Sequence, residues 1–591
     1  MTVNERIRAL RTQMREAKID VYLLPSSDDH QSEYVAPHWQ SRAWLSGFTG
    51  STGLVIVTRD HAGLWTDSRY FLQAETQLAG TEVELHKLVI PHTPEHINWL
   101  RGKYPNGAVI GADGRQMSVG GMENLQRRLG KSFRYRTDVD LIGTVWKDRP
   151  TLPDAPVFEH DLRYTGKSRA QKMDNLRKSM PTANYLVTAL DNIAWLLNLR
   201  GSDVESNPLF YSYLLLRKDR ATLFVDPRKI SEALEKILKK DRIEIAPYGA
   251  VGQHLAQVST PVHYNPQTLN LAIRNRIPER YRAPGENLIA LPKATKNDTE
   301  IAHLRRAMER DGVALLRLFR WLEARLAERT VTEYELAIRL AAFRRAGGQY
   351  HDESFPAIVG YRGNGAIVHY RPEEDSSAAI RPEGILLLDS GGQYHDGTTD
   401  ITRTVALGTP GPDEKLHYTL VLKGHIGLGA AQFPRGTTGS QLDALARAPL
   451  WAYGLNYGHG TGHGVGFFLN VHEGPQSITP NVKSTGGKAP LVPGMVTSNE
   501  PGFYRTDHYG IRIENLVLCV EGQTTPYGRF LRFEDLTLFP MDRRLIDVAL
   551  LTATELDWLN DYHAVVLERL SPHLEADELE WLQQQCAVLE R

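Results

Sequence analysis

Cysteine is almost missing: the 591-residue chain has two, Cys519 and Cys586. Two thiols cannot staple a chain of this length, so a disulfide framework is excluded and a reducing cytoplasm is expected. An excess of one charge is missing as well. Lys and Arg number 69 and Asp and Glu 70, a formal net charge of -1, so no broad field draws the chain to nucleic acid or an anionic membrane. No run of about 18 apolar residues occurs, so no membrane span is expected. The opening stretch "MTVNERIRALRTQMREAKID" lacks the apolar core of a signal peptide. Its Ile7, Leu10, Met14 and Ala17 recur at helical spacing instead, which predicts an amphipathic helix. The zinc-protease pattern HExxH is absent from the histidine-rich segment as well.

The chain is long enough for about three domains. An internal echo supports dividing the first half. "WLSGFTGSTGLVIVTRDHAGLWTDSRY" begins at Trp44, and "WLLNLRGSDVESNPLFYSYLLLRKDRATLFVD" begins at Trp195. Each has Trp-Leu, then Gly-Ser, then two apolar segments around a polar turn, and each follows an apolar run, "DVYLLPSS" or "NYLVTALD". A shared strand–helix–hairpin plan explains the echo and predicts two related α/β domains, residues 1–148 and 149–295, joined at the proline-rich "WKDRPTLPDAP". The third domain, 296–591, is predicted as α+β with a largely antiparallel sheet. Asn297 or Asp298 caps its first helix, and Ile301, Leu304, Met308, Leu315, Leu318 and Leu322 form an apolar stripe. A second helix ends at Gly347. Glycine-separated strands follow at "SFPAIVG", "GAIVHY", "GILLLDSGGQY" and "TTDITRTVAL", then helices over about 412–450, more strands, and a helical tail after Met541.

The chemistry concentrates in that last domain. "ILLLDSGGQYHDGTTDITRT" places Asp389 at the end of an apolar strand and Asp400 at the start of another, a spacing that lets a hairpin join their carboxylates. Asp400, Thr402 and Thr404 share a strand face. Glu500 ends another apolar strand, and "GIRIENLVLCV" sets Arg512 and Glu514 on one face opposite Ile511 and Ile513. A glutamate between isoleucines in a core strand needs a partner, and Arg512 is the one at hand. Singly, each Asp reads as a turn residue, the Arg–Glu pair as a structural bridge and the glycine-flanked histidines His459, His463 and His472 as a solvated loop. Together, two Asp, two Glu and one His form a carboxylate-rich ligand set. Such a set suits two divalent cations of the Mn²⁺, Co²⁺ or Zn²⁺ type. Two cations about 3.5–4 Å apart activate a shared water as the hydroxide for amide hydrolysis.

The motifs "HYRP", "LLDSGGQYHDGTTDITRT", "HGTGHGVGFFLNVHEGP", "NEPGFY" and "GIRIEN" resemble those of the Xaa-Pro aminopeptidases of the aminopeptidase P type, pita-bread metallopeptidases, in their long three-domain cytosolic form. "HQSEYVAP", "WLSGFTGS", "WTDSRYFLQ" and "LRGSDVESNP" extend the likeness over the N-terminal half. The resemblance implies two creatinase-like α/β domains ahead of a pita-bread catalytic domain. It implies two metal ions, most readily Mn²⁺, held by Asp389, Asp400, His463, Glu500 and Glu514. Glu500 is then also the proton carrier, His369 and His472 the catalytic histidines beside the scissile carbonyl, and Arg512 the residue that orients the bridging carboxylate. Arg69 and His459 match substrate-side positions. Tyr504 and Phe467 are candidate walls for a proline ring. The implied substrates are peptides with proline second, and the implied state is a cytoplasmic homodimer with no nucleic-acid or membrane partner. A prolidase-type dipeptidase and a metal-free protein-binding module on the same fold are the competing readings.

Overall fold

The computed structural model describes residues 1–89 and 93–591. The chain forms two compact units, Met1–Leu162 with Lys167–Ile289, and Arg163–Gly166 with Ala290–Arg591.

In the first unit the N-terminal segment is helical, α1 (Val3–Glu16). Thr2 and Glu5 close a capping box at its start, and Ile7, Leu10 and Met14 are its buried stripe. Ala17 is the residue that ends it. Six strands follow: β1 (Val21–Leu24), β2 (Leu54–Thr58), β3 (Ala62–Thr66), β4 (Val83–Lys87), β5 (Val109–Gly111) and β6 (Arg134–Arg136), with helix α2 (Glu95–Lys103) between β4 and β5. They form one sheet in the order β4-β3-β2-β1-β5-β6. The second half repeats this with β7 (Asn184–Val187), β8 (Tyr213–Arg217), β9 (Ala221–Val225), β10 (Ile243–Pro247), β11 (Val262–Tyr264) and β12 (Arg282–Pro284). Their order, β10-β9-β8-β7-β11-β12, is the first order shifted by six. Strand directions repeat too: the two hairpin pairings are antiparallel and the outer ones parallel in both sheets. The echoed Trp-Leu pairs lie on equivalent helices, Ser41–Ser46 and Leu190–Leu197. One hydrophobic cluster spans both halves, with Val21, Leu23 and Ile56 beside Leu186, Tyr213 and Phe224. A buried polar seam joins them as well, Tyr211 donating to Asp28 at 3.0 Å and Tyr213 to Asp29 at 3.1 Å.

The second unit opens with α3 (Asp298–Leu326), where Asn297 caps and Glu300 completes the capping box. Leu304, Met308, Leu315, Leu318 and Leu322 are among its buried side chains in the main core. Helix α4 (Glu333–Ala346) stops at Gly347. Strands β13 (Ile358–Tyr361), β14 (Ile385–Ser390) and β15 (Ile401–Ala406) form an antiparallel sheet with β14 in the middle. Helices α5 (Pro412–Gly429) and α6 (Gly439–Trp451) follow. A six-stranded antiparallel sheet contains β16 (Gln432–Pro434), β17 (Gly462–Gly464), β18 (Glu473–Ile478), β19 (Val496–Asn499), β22 (Asn515–Thr525) and β23 (Gly528–Asp535). Between β19 and β22 sits a hairpin of β20 (Gly502–Arg505) and β21 (Tyr509–Arg512). Helices α7 (Ala553–Leu570) and α8 (Ala576–Gln585) make the tail. Among the described residues no helix is long and apolar enough to cross a membrane.

The strand expected at "GAIVHY" does not form. Residues Arg362–Ala366 make a 3-10 turn instead. Gly365 in this turn lies close against two strands: a Cβ on it would stand 3.0 Å from the Gly360 carbonyl and from the Gly510 nitrogen, and a Cβ on Gly510 would stand 1.7 Å from the Gly365 carbonyl. The apolar residues of this stretch therefore follow a turn, not a pleat.

Asn297→Ala removes the side-chain cap of α3, the acceptor of the Thr299 and Glu300 main-chain N–H groups, and leaves the bond from the residue 297 main-chain nitrogen to Glu300. We expect a loss of about 1 kcal/mol in the stability of the second unit, read by denaturant unfolding followed at tryptophan; an unchanged midpoint would refute the assigned cap.

Candidate metal centre

Strand β14 carries Asp389 across from Thr402 of β15 on one side and Ile358 of β13 on the other. Asp400 stands immediately before β15. The intervening short strands Gly392–Tyr394 and Gly397–Thr398 turn the chain back, so the expected hairpin joins the two aspartates.

The histidine-rich segment is a crowded piece of backbone, which accounts for its glycines. A Cβ on Gly462 would lie 1.9 Å from the Ser498 carbonyl, and one on Gly464 2.2 Å from that of Glu473. Only glycine lets β17 run between β18 and β19. The approach to β17 is pinned from helix α6, where Asp443 and Arg447 pair one turn apart at 2.7 Å. Arg447 donates to the carbonyls of Tyr457 and His459, both at 2.8 Å, and Asp443 accepts from Thr461 at 2.6 Å. His463 donates its Nδ1 proton to the Gly464 carbonyl at 3.0 Å. Its Nε2 stands 3.4 Å from Asp400 Oδ2 and 3.6 Å from Glu500 Oε1.

Asp400, His463 and Glu514 offer ligand atoms within 4.8 Å of one another. Glu500 joins through His463. Its main-chain nitrogen is fixed by the Thr461 carbonyl at 2.8 Å, and its carboxylate accepts from Ser498 at 3.4 Å. Asp389 completes the group from the other side. The expected pairing of Arg512 with Glu514 needs correction. Arg512 pairs with Asp389, Nη2 to Oδ2 at 2.5 Å. The reason is that β21 ends at Arg512 and β22 starts only at Asn515, so the strand alternation that would set 512 and 514 side by side is broken. Arg512 reaches Glu514 through Thr402, donating from Nε to the hydroxyl at 3.1 Å, and that hydroxyl donates to Glu514 Oε2 at 2.9 Å.

Four carboxylates thus face two cationic side chains, Arg512 and His463. Burial raises the pKa of Asp389, and Arg512 only partly offsets it. Burial raises that of Glu500 against the pull of His463 and Arg512. Glu514 is pushed well up by burial and then by Asp400, Glu500 and Asp389. For His463, burial pulls down, but the hydrogen bond to Asp400 and the charges of Glu500 and Asp400 lift it to about 9. Asp389 Oδ1 is buried with no hydrogen-bond partner among the described residues. An unpaired buried carboxylate oxygen, a surplus of negative charge and an imidazole fixed by its other nitrogen make a donor set that fits divalent cations.

The remaining expected residues fall as follows. His472 packs its ring against His463, centroids 4.3 Å apart. His369 is half-buried in the turn after Ala366, next to Val368, whose carbonyl accepts from Arg512 at 3.4 Å. His459 and Tyr504 belong to a relay. Arg512 Nη1 donates to Tyr504 Oη at 2.6 Å, Tyr504 donates to His459 Nε2 at 2.8 Å, and His459 Nδ1 donates to the Gly460 carbonyl at 2.7 Å. Phe467 lies in the main core at 2% exposure. A smaller apolar cluster of Phe355, Ile358, Leu387 and Val471, with Tyr370 and Tyr504 packed on it, borders Asp389 instead. Arg69 is in the first unit, its guanidinium held by Asp67 at 2.8 Å and set over the Tyr70 ring.

Residues 302–521 match metallopeptidase family M24 and residues 529–589 its C-terminal region. Residues 6–149 and 148–300 each match a creatinase/prolidase N-terminal domain. Aminopeptidase P2 of Arabidopsis thaliana is 41% identical over 629 residues, which cover 98% of this chain and 88% of that protein. The chain belongs to the aminopeptidase P family of M24 metallopeptidases. A probable Xaa-Pro aminopeptidase P of Laccaria bicolor is also 41% identical, over 100% of this chain and 94% of its own. The crystal structure of X-prolyl aminopeptidase from Caenorhabditis elegans, described as a cytosolic enzyme with a di-nuclear active site, matches with a TM-score of 0.95 and 38% identity over the whole of both chains. In this aminopeptidase P relative, the fold is two creatinase-like α/β halves followed by a pita-bread unit.

Sequence reasoning passed over Arg403, Asp443 and Arg447, and placed Thr402 beside Asp400 without giving it a role. Thr402 shares Asp400's strand face, and Asp443–Arg447 has the i,i+4 spacing of a helix pair, so both signals were present. Arg403, buried at 1% exposure, donates to the Glu514 carbonyl at 2.7 Å and to Asn515. Nothing in its sequence neighbourhood marks that role.

The pKa shifts fix a sign. His463 is raised from 6.5 to about 9, so its stabilising share is complete below pH 6.5 and lost as pH rises through about 9. The raised carboxyls of Asp389, Glu500 and Glu514 act in the same direction. In excess chelator the protein is expected to be more stable at pH 6 than at pH 9.5, and His463→Gln to flatten the upper part of that slope. Thermal melts that rise with pH would contradict the assignment.

Proposed function

We propose that the chain is a metalloaminopeptidase that releases the first residue of peptides with proline in the second position. The observation that carries this reading is the convergence of Asp389, Asp400, His463, Glu500 and Glu514 in one buried pocket. Its match to a dinuclear X-prolyl aminopeptidase over the full length supports the reading. We assign these five side chains as ligands of two divalent cations, with manganese as the native metal and cobalt or zinc as substitutes. Bound there, the cations supply Lewis acidity and activate water for attack on the peptide carbonyl.

The chain's own residues do the rest. Glu500 accepts the proton of the attacking water and delivers it to the departing proline nitrogen. His472 and His369 donate to the carbonyl oxygen as it gains charge. Arg512 orients Asp389 directly and Glu514 through Thr402. Through Tyr504 it also fixes the tautomer of His459, which we assign to the substrate side together with Tyr504. Arg69 is assigned to the substrate as the contribution of the first domain.

An Xaa-Pro bond has no N–H and a ring-fixed φ, so a proline-selective site needs a cup rather than an acceptor. The apolar cluster of Phe355, Ile358 and Val471 beneath Tyr504 offers one. The prolidase-type reading is disfavoured by full-length likeness to aminopeptidases P. The binding-module reading is disfavoured because all five ligand positions retain ligating residues. We further assign the domains as 1–148, 149–295 and 296–591, the tail helices α7 and α8 as the dimer element and the cytoplasm as the location.

A peptide panel read by mass spectrometry, in Mn²⁺ and then in chelator, tests the function. Tripeptides and longer chains with proline second should lose their first residue. Alanine in its place should cost about 10–200-fold, the worth of lost apolar contact in a shaped pocket. N-acetylated peptides should resist. Cleavage of Xaa-Pro dipeptides alone would favour the prolidase reading.

Two variants test the roles. Glu514→Gln should lose at least one metal equivalent and most activity. His472→Ala should keep both metals while turnover falls about 10²-fold or more. Metal loss in the second variant would make His472 a ligand.

A further inference from the structure

We propose that His61 and His86, with Glu84 orienting His61, form a separate divalent-cation site with zinc-type chemistry in the first unit. The argument starts from strand register. Strands β3 and β4 run parallel, with Gly63 beside Glu84 and Trp65 beside His86. Paired positions project to the same face, and His61 reaches that face from the turn just before β3. His86 lies flat on Trp65, ring centroids 4.0 Å apart at 7°. His61 meets the His86 ring edge-on, with the two Nε2 atoms 3.1 Å apart. That is close to the roughly 3.3 Å kept by two nitrogens about 2.0–2.1 Å from one tetrahedral ion. Glu84 Oε1 is 3.5 Å from His61 Nδ1, and the ligand atoms of all three residues lie within 4.8 Å of one another.

Room for this meeting is made by one residue. A Cβ on Gly63 would stand 2.6 Å from His61 Nε2 and 2.7 Å from His86 Cδ2. The repeated sheet is an internal control. Strands β9 and β10 keep the same register, with Thr222 beside Glu244 and Phe224 beside Ala246. There Arg220, Thr222 and Ala246 stand where His61, Gly63 and His86 stand in the first copy. The fold therefore requires neither the glycine nor the histidines.

Trp99 of α2 closes over the pair, 4.8 Å from the His61 ring and 5.0 Å from that of Trp65. A cavity of about 570 Å³ lined by Trp65, His86 and Trp99 lies beside the pair. Burial lowers the pKa of both imidazoles, which favours the neutral form that binds metal. Without a cation one ring donates its Nε2 proton to the other. Binding requires that ring to carry its proton on Nδ1 instead. At His61, Glu84 stands where it accepts that Nδ1–H, the carboxylate–histidine pairing that orients metal ligands.

The test uses the full-length protein and Zn²⁺ alone, with excess removed by gel filtration and zinc counted by elemental analysis. Wild type should hold one equivalent more than His86→Gln and one more than Gly63→Ala. Glu84→Gln, on a side chain 70% exposed, should keep the fold and weaken this equivalent about 10–100-fold. Equal zinc content in wild type and His86→Gln overturns the site. Should the His86 and Gly63 variants not fold, ring-nitrogen NMR of the wild type decides. Zinc should shift the His61 and His86 signals, and signals that stay put refute the proposal. His463→Gln loses equivalents from the other centre, so failure of one assignment is read apart from failure of the other.

Discussion

The second unit is organised around a charge surplus that it cannot shed to solvent. Asp389, Asp400, Glu500 and Glu514 share one pocket, and Arg512 is the fixed cation set among them. Removing a carboxylate from water costs several kcal/mol unless it is paired. Here one guanidinium divides itself between Asp389, Thr402 and Tyr504. The balance has to come from bound cations or bound protons. The raised pKa of Asp389, Glu500 and Glu514 is the signature of that deficit in the polypeptide alone.

That constraint explains why the surrounding backbone is so closely packed. A cation cluster needs its ligands fixed within a fraction of an ångström, so the strands that carry them leave little slack. Gly462 and Gly464 let β17 pass between its neighbours with carbonyls where side chains would be. Arg447 and Asp443 clamp the approach to His463 from a helix, and Arg403 clamps the approach to Glu514 from β15. The three histidines of the glycine-rich segment thus divide by their second contact. His463 gives its Nδ1 to a carbonyl and faces the carboxylates, His472 packs on that ring, and His459 is tied through Tyr504 to Arg512.

Much of this was legible in the sequence because it is local. Capping at Asn297, the helix stop at Gly347 and the apolar run into Asp389 each depend on residues a few positions apart. The doubled sheet of the first unit was legible as a pattern of Trp-Leu, Gly-Ser and paired apolar segments. What escaped was set by contacts distant in sequence. Arg512 was assigned to Glu514 by strand alternation, but the chain leaves the strand at Ile513 and the guanidinium turns to Asp389, 123 positions away. "GAIVHY" has the composition of a strand, but the chain turns there, with Gly365 set against the backbones of Gly360 and Gly510 from other segments. Arg403 is silent in the sequence because its partners come from three separate segments.

The duplicated sheet shows how far one scaffold tolerates change once its core is set. Both copies keep strand order, direction and register, and the positions that hold them are apolar: Leu64 and Leu223, Leu85 and Ile245. Between those positions the other face of each sheet carries different residues. One copy buries Phe224 and Thr222 there, Phe224 as part of the hydrophobic core. The other sets two imidazoles across a glycine and beneath two indoles. Packing alone does not select that arrangement, since the second copy is buried equally well without it. Residues that a fold does not need and yet places nitrogen to nitrogen are where chemistry beyond the M24 unit is to be sought.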